Sequence, residues 1–99
     1  MATQSEFREK TRQKLKEPKQ YHVIMLNDDF TTMEFVVQIL MDVFHKDALA
    51  AETIMLGVHK QGRAIVGTYS YDIASTKVNT ALARAKAEGF PFRMLIEEA

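Results

Sequence analysis

The sequence predicts an α+β fold: a two-layer α/β sandwich in which three helices lie on one face of a three-stranded antiparallel sheet, in the order strand-helix-helix-strand-helix-strand. Three observations carry this expectation. Three short runs, at Tyr21–Leu26, Arg63–Tyr69 and Phe92–Ile96, are rich in strand formers. Between them lie stripes of apolar residues at helical spacing, opened by capping residues and closed by glycines. The apolar groups concentrate in residues 20–99, and about 80 residues suffice for one small core.

The first strand, Tyr21-His22-Val23-Ile24-Met25-Leu26, ends at the polar Asn27-Asp28-Asp29. Thr31-Thr32-Met33-Glu34 then has capping-box spacing: the Thr31 hydroxyl accepts the N–H three residues on while Glu34 reaches back. Met33, Val36, Val37, Leu40 and Phe44 follow on one helical face. Asp47 caps the next helix, whose stripe is Ala51, Ile54, Met55 and Val58, and Gly62 sits where a left-handed C-terminal residue belongs. After the second strand, Ser70 opens a third helix that buries Ile73, Val78, Ala81, Leu82 and Ala85. Gly89 and Pro91 close it, and Phe92–Ile96 completes the sheet.

Charge separates a leader from this body. Lys+Arg and Asp+Glu are both 13, a formal net charge of zero. Residues 1–20 hold six basic and three acidic groups, leaving seven and ten for residues 21–99. Phe7 and Leu15 are, after Met1, the only large apolar groups among those first twenty residues, too few to offset the entropy of ordering them, and Pro18 stops a helix there. Residues 1–19 are therefore expected to form a flexible N-terminal extension, and 20–99 the core domain.

Composition excludes several classes. Without a basic excess the chain has no electrostatic footprint for nucleic acid. There are no cysteines, hence no disulfide, thiolate metal site or cysteine nucleophile. No apolar run reaches the roughly 20 residues of a membrane span, and the leader has neither a secretory h-region nor the acid-poor character of a transit peptide. The expectation is a cytoplasmic protein with no nucleic-acid and no membrane partner.

The polar groups that could carry chemistry are Asn27-Asp28-Asp29 at a strand-to-helix junction and His59 near a helix end; His22 and His45 read as ordinary strand and surface residues. Asp28 or Asp29 with His59 could pair as general base and orienter or as metal ligands, giving a small metal-dependent enzyme. Equally, two aspartates beside a helix start are turn formers, and a histidine flanking an apolar stripe is a packed, hydrogen-bonded residue. No HExxH, Gly-rich phosphate loop or GxSxG is present.

Two segments carry a resemblance. Leu26-Asn27-Asp28-Asp29-Phe30-Thr31-Thr32-Met33-Glu34-Phe35-Val36 resembles the LNDDYTPMEFV segment of the ClpS family, bacterial N-degron (N-end rule) adaptors of the Clp AAA+ protease. Met55-Leu56-Gly57-Val58-His59-Lys60-Gln61-Gly62 is similar to its ML-x-VH-x-x-G signature, Thr76-Lys77-Val78 matches a shorter one, and the similarity runs from about Pro18 to the C-terminus. Thr32 stands where the family has proline, Phe30 where it has tyrosine and Gly57 where alanine is common. Phe90-Pro91-Phe92-Arg93-Met94-Leu95 differs more from the family's HPLxCTxE.

The resemblance implies a binding module, not an enzyme, with no catalytic residue, metal or cofactor. It would hold substrate proteins by a free α-amino group and a bulky first side chain (Leu, Phe, Tyr or Trp) and deliver them to a ClpA-type AAA+ unfoldase. Asn27, Asp28 and His59 would surround the α-ammonium. An ammonium offers three donors and no acceptor, and these residues supply an amide oxygen, a carboxylate and an imidazole nitrogen. Met33, Val36, Met55, Val58 and Phe92 would line the side-chain pocket, with Thr31 at its edge. Met33 would be the gate against β-branched residues, and Phe92 in place of leucine would make the pocket shallower. Asp72 and Lys77 fall where the family contacts the unfoldase, and the extension matches the family segment that engages the unfoldase pore. The alternative within the family is a paralogue of narrowed specificity that mainly modulates or inhibits the unfoldase.

Overall fold

The computed structural model describes residues 19–99. The extension expected over residues 1–19 lies, except for Lys19, outside the described residues. The elements are β1 (Tyr21–Leu26), α1 (Met33–Asp42), α2 (Ala48–Gln61), β2 (Arg63–Tyr69), α3 (Tyr71–Ala87) and β3 (Met94–Glu98). This is the order the sequence predicts. The strands form one antiparallel sheet in the order β2-β1-β3, so β1, the first strand in the chain, is the central one.

Alternation along β1 sorts the two faces of the sheet. Val23 and Met25 point into the main core. Ile24 points the other way, between its register partners Ile65 and Leu95, which are partly exposed. Ile24 is nevertheless only 1% exposed. Arg63 and Glu97, whose register partners on β1 are Leu26 and His22, two residues to either side of Ile24, meet at 3.3 Å. On β2 the register slips between Val23 and Ile24, opposite Gly67 and Ile65, so that Val66 is the extra residue of a bulge. The bulge keeps Val66 buried while Ile65 still faces Ile24.

The structure differs from the sequence reading in one helix cap, at the edges of two helix faces and in the start of the last strand. Thr32, not Thr31, is the N-cap of α1: its hydroxyl accepts from the Phe35 N–H at 3.2 Å, while the Thr31 hydroxyl donates to Asp28. The buried face of α1 is Phe35, Val36, Ile39 and Leu40, continued by Val43 and Phe44 just beyond the helix. Met33 sits at the edge of that face, nearly half exposed. In α3 the buried face is Ala74, Val78, Ala81 and Ala85, and Ile73 is half exposed. Small residues along that line let the helix approach all three strands closely. The last strand also begins two residues later than expected. Phe92 precedes it, buried against the Phe35 ring with centroids 5.8 Å apart.

The remaining caps are those expected. Asp47 accepts the Ala50 N–H at 2.8 Å, and Gly62 ends α2 at φ 86°. Ser70 occupies the N-cap position of α3, although its side chain makes no capping bond. Gly89, at φ 77°, follows the end of that helix.

Two glycines give opposite expectations. A Cβ on Gly57, inside α2, would touch only the Ala64 methyl at 3.9 Å, an ordinary contact. Gly57→Ala should therefore stabilise the fold by about 0.5–1 kcal/mol through helix propensity. A Cβ on Gly67 would fall 2.5 Å from the Tyr69 hydroxyl, and that ring is held against Phe44 and under the Lys77 ammonium. Gly67→Ala should destabilise by about 1–3 kcal/mol through overpacking. Urea denaturation of the two variants checks both signs; a stabilised Gly67→Ala would show that Tyr69 is free to move.

Candidate functional site

The site is built where the C-terminal end of β1 meets the C-terminal end of α2. Past Leu26, the Asn27 N–H donates to the Gly62 carbonyl at 2.9 Å, extending the β1–β2 ladder by one bond. On the other side the Leu26 N–H donates to the Arg93 carbonyl at 3.2 Å. Gly62 takes this position because its left-handed backbone turns the chain out of α2 while its own N–H still reaches the Val58 carbonyl. The loop after β1 is thereby fixed one helical turn from His59.

Asp28 shapes that loop from within. Its Oδ1 accepts the N–H groups of Phe30 at 2.9 Å and Thr31 at 2.7 Å, and its Oδ2 accepts the Thr31 hydroxyl at 2.7 Å. Partial burial pulls the carboxyl upward. The Thr31 hydroxyl, the two N–H donors and the Arg93 charge outweigh it and hold Asp28 below the usual carboxylate value. A pKa lower in the folded than in the unfolded chain makes this clasp a stabilising contribution at neutral pH, lost only as the solution becomes strongly acidic. A carboxylate has about four lone-pair sites, so three internal bonds leave one for a ligand.

Asn27, Asp28, Asp29 and Thr31 from this loop, Met33 and Val36 from α1, and Met55, Val58 and His59 from α2 line one cavity of about 220 Å³. Helical spacing aligns the last two groups, since Met33 and Val36 lie at i and i+3, and Met55, Val58 and His59 at i, i+3 and i+4. The cavity thus combines polar groups from the loop and His59 with apolar walls from two helices. Among the described residues nothing hydrogen-bonds to the Asn27 amide group, the Asp29 carboxylate or the His59 ring. Their lone pairs are available to a donor from outside.

The resemblance implied a site role, as ammonium-binding or pocket residues, for eight of these nine lining residues. Asp29 was read only as a turn former, a general base or orienter, or a metal ligand. The signal for Asp29 was its position beside Asp28, before a helix that leaves it exposed. Phe92, expected on the wall, is not among the lining residues. It is buried in the core, packed edge-to-face with Phe35, whose ring also meets Phe90 edge-to-face.

Asp72 and Lys77 are not brought to the cavity. Asp72 is exposed in the first turn of α3. Lys77 is partly buried, donating at 2.8 Å to the Val43 carbonyl at the end of α1, with its ammonium 5.9 Å and 5.5 Å from the ring centres of Phe44 and Tyr69. It thus satisfies a C-terminal carbonyl of α1 from a different helix. Among the described residues no group of three or more His, Asp or Glu side chains is arranged to hold a metal ion, including Asp28, Asp29 and His59. No helix among them is long and apolar enough to cross a membrane.

Comparison with known proteins fits this geometry. The protein-family model described as "ATP-dependent Clp protease adaptor protein ClpS" matches residues 16–95. Relatives named ATP-dependent Clp protease adapter protein ClpS, from Burkholderia cenocepacia (strain HI2424) and Burkholderia vietnamiensis (strain G4), are each 50% identical over 91 residues, covering 92% of this chain and 88% of the relative. The structure of Agrobacterium tumefaciens ClpS2 bound to L-phenylalaninamide superimposes with a TM-score of 0.81 at 37% identity, covering 84% of this chain and 100% of that one. With the family match spanning residues 16–95, most of the chain, the chain belongs to the ClpS family, adaptor proteins of the ATP-dependent Clp protease and not enzymes.

Proposed function

We propose that this adaptor captures proteins whose first residue is Leu, Phe, Tyr or Trp, through the free α-amino group and the first side chain, and passes them to a ClpA-type AAA+ unfoldase in the cytoplasm. The observation that carries the reading is a single cavity that joins unpartnered acceptors to apolar walls. A peptide N-terminus beginning with a bulky apolar residue has the matching chemistry: an ammonium with three N–H donors and an apolar side chain, both bonded to the same α-carbon. Asn27, Asp28 and His59 would accept from the ammonium. Thr31, Met33, Val36, Met55 and Val58 would surround the side chain. An apolar cavity of about 150 Å³ is enough for benzene, so about 220 Å³ suits a benzyl group with its amine at the mouth. The phenylalaninamide held by the Agrobacterium relative has both features, a free amine and a benzyl group.

Charge-assisted hydrogen bonds contribute roughly 1.5–3 kcal/mol each. Fluorescence anisotropy with peptides beginning in Phe, Leu, Tyr or Trp should therefore give micromolar or tighter binding that acetylation of the N-terminus weakens by at least about 100-fold. Equal affinity for free and acetylated peptides would refute ammonium recognition. No binding to either would favour the reading in which the protein mainly modulates the unfoldase.

Single variants assign the acceptors. Asp28, held below the usual range, stays ionised throughout mildly acidic conditions. His59→Phe keeps a ring but removes an acceptor from the site. Affinity for a Phe peptide should fall by about 10-fold or more in His59→Phe, and His59→Gln, which restores an amide oxygen, should recover part of the loss. Unchanged affinity in His59→Phe would show that the imidazole accepts nothing from the ammonium.

Delivery would use other surfaces. Asp72 and Lys77 on α3 would meet the unfoldase, and the basic leader, residues 1–19, would engage its pore. Deleting residues 2–17 should leave peptide affinity within twofold yet slow degradation of a Phe-initiated substrate by the reconstituted protease. Parallel loss of binding and degradation would refute this division of labour.

A further inference from the structure

A second and larger concavity, about 420 Å³, adjoins the first. It runs between α1 and α2 and is lined by Met33, Glu34, Val37 and Gln38 from one helix and Glu52, Met55 and Leu56 from the other. Met33 and Met55 belong to both linings, so these two side chains partition cavity from groove. Helical spacing gives the groove its character. Met33 and Val37 are one turn apart on α1, as are Glu34 and Gln38, and Glu52 and Leu56 are one turn apart on α2. The result is an apolar floor with a carboxylate on each wall. Among the described residues neither Glu34 nor Glu52 has an ion pair or a side-chain hydrogen bond.

We infer that this groove is a subsite for the second residue of the captured chain and that it selects arginine or lysine there. The inference rests on the N-terminal capture proposed above. With the first side chain in the cavity, the second Cα lies about 3.8 Å further on, beside the Met33–Met55 partition. A side chain leaving that point can cross the methionines into the groove. A long cationic side chain fits it throughout: its methylene stem lies along Met33, Val37, Met55 and Leu56, and its head reaches the two carboxylates. Methionine walls adapt to such a stem. A purely apolar second residue uses the floor and leaves both carboxylates unpaired, and an acidic one meets two like charges.

The test is anisotropy with Phe-Xaa peptides in which Xaa is arginine, norleucine, alanine or glutamate. Wild type would be compared with the Glu34→Gln/Glu52→Gln double variant and with Glu97→Gln, which removes a carboxylate from the open sheet face. Arginine should bind about 3- to 10-fold tighter than alanine, as expected of partly exposed pairs plus a covered stem. Norleucine should fall between them and glutamate below. The arginine–norleucine gap should close in the double variant and persist in Glu97→Gln. Arginine and alanine binding within twofold of each other, or a gap unchanged in the double variant, would overturn the subsite. If Phe-Ala itself binds, either result overturns the subsite alone; if Phe-Ala fails to bind, the capture reading falls with it.

Discussion

The site depends on one backbone hydrogen bond, from the Asn27 N–H to the Gly62 carbonyl. It carries strand pairing one residue beyond β1 and fastens the loop after that strand to the end of α2. Without it, the loop that holds Asn27, Asp28 and Thr31 would leave the sheet one residue earlier, at the Leu26–Arg63 pair, and lose its direct bond to the end of the helix that holds Met55, Val58 and His59. The bond requires Gly62 in a left-handed conformation, which a residue with a Cβ adopts only at a cost. A position with no side chain thus fixes the spacing of two groups of side chains that do the binding.

Asp28 illustrates how a small domain makes one residue serve two ends. Most of its hydrogen-bonding capacity goes to Phe30 and Thr31, which rigidifies the loop before any ligand arrives. Its charge remains, and the same bonds that hold the loop keep the carboxyl ionised. Rigidity and a persistent negative charge therefore have a common origin. Binding then orders little further chain, which keeps its entropic cost low.

The two methionines at the mouth of the cavity provide the opposite property. Met33 is nearly half exposed and stands between the cavity and the neighbouring groove together with Met55. Unbranched thioether side chains adapt to ligands of different shape, whereas Val36 and Val58 beneath them belong to the close-packed core. A fixed floor with adjustable walls suits a site that accepts several bulky apolar groups. Elsewhere, Lys77 ties the end of α1 to α3 through the Val43 carbonyl, so the helix that carries Met33 is anchored at its far end by the surface proposed for unfoldase contact.

The sequence by itself determined the element order, the central strand's length and the Asp47 and Gly62 helix ends, because these depend on contacts between residues a few positions apart; most of the cavity lining followed instead from the family resemblance of two segments. Periodicity placed Val36, Leu40 and Phe44 of the first helical stripe and Val78, Ala81 and Ala85 of α3 in the core, where they are. It erred at the edges: Met33 was read as inward where Phe35 is buried, and Ile73 where Ala74 is. Both errors arise because spacing alone does not tell which of two adjacent apolar residues meets the sheet. Only the tertiary structure decided that Thr31 serves Asp28 while Thr32 caps the helix, that Phe92 packs on Phe35 instead of the cavity wall, and that Asp29 lines the site. In each case the deciding partner lies across a turn or in another element, and the choice rests on a comparison of burial and hydrogen bonding that exists only once the chain has closed on itself.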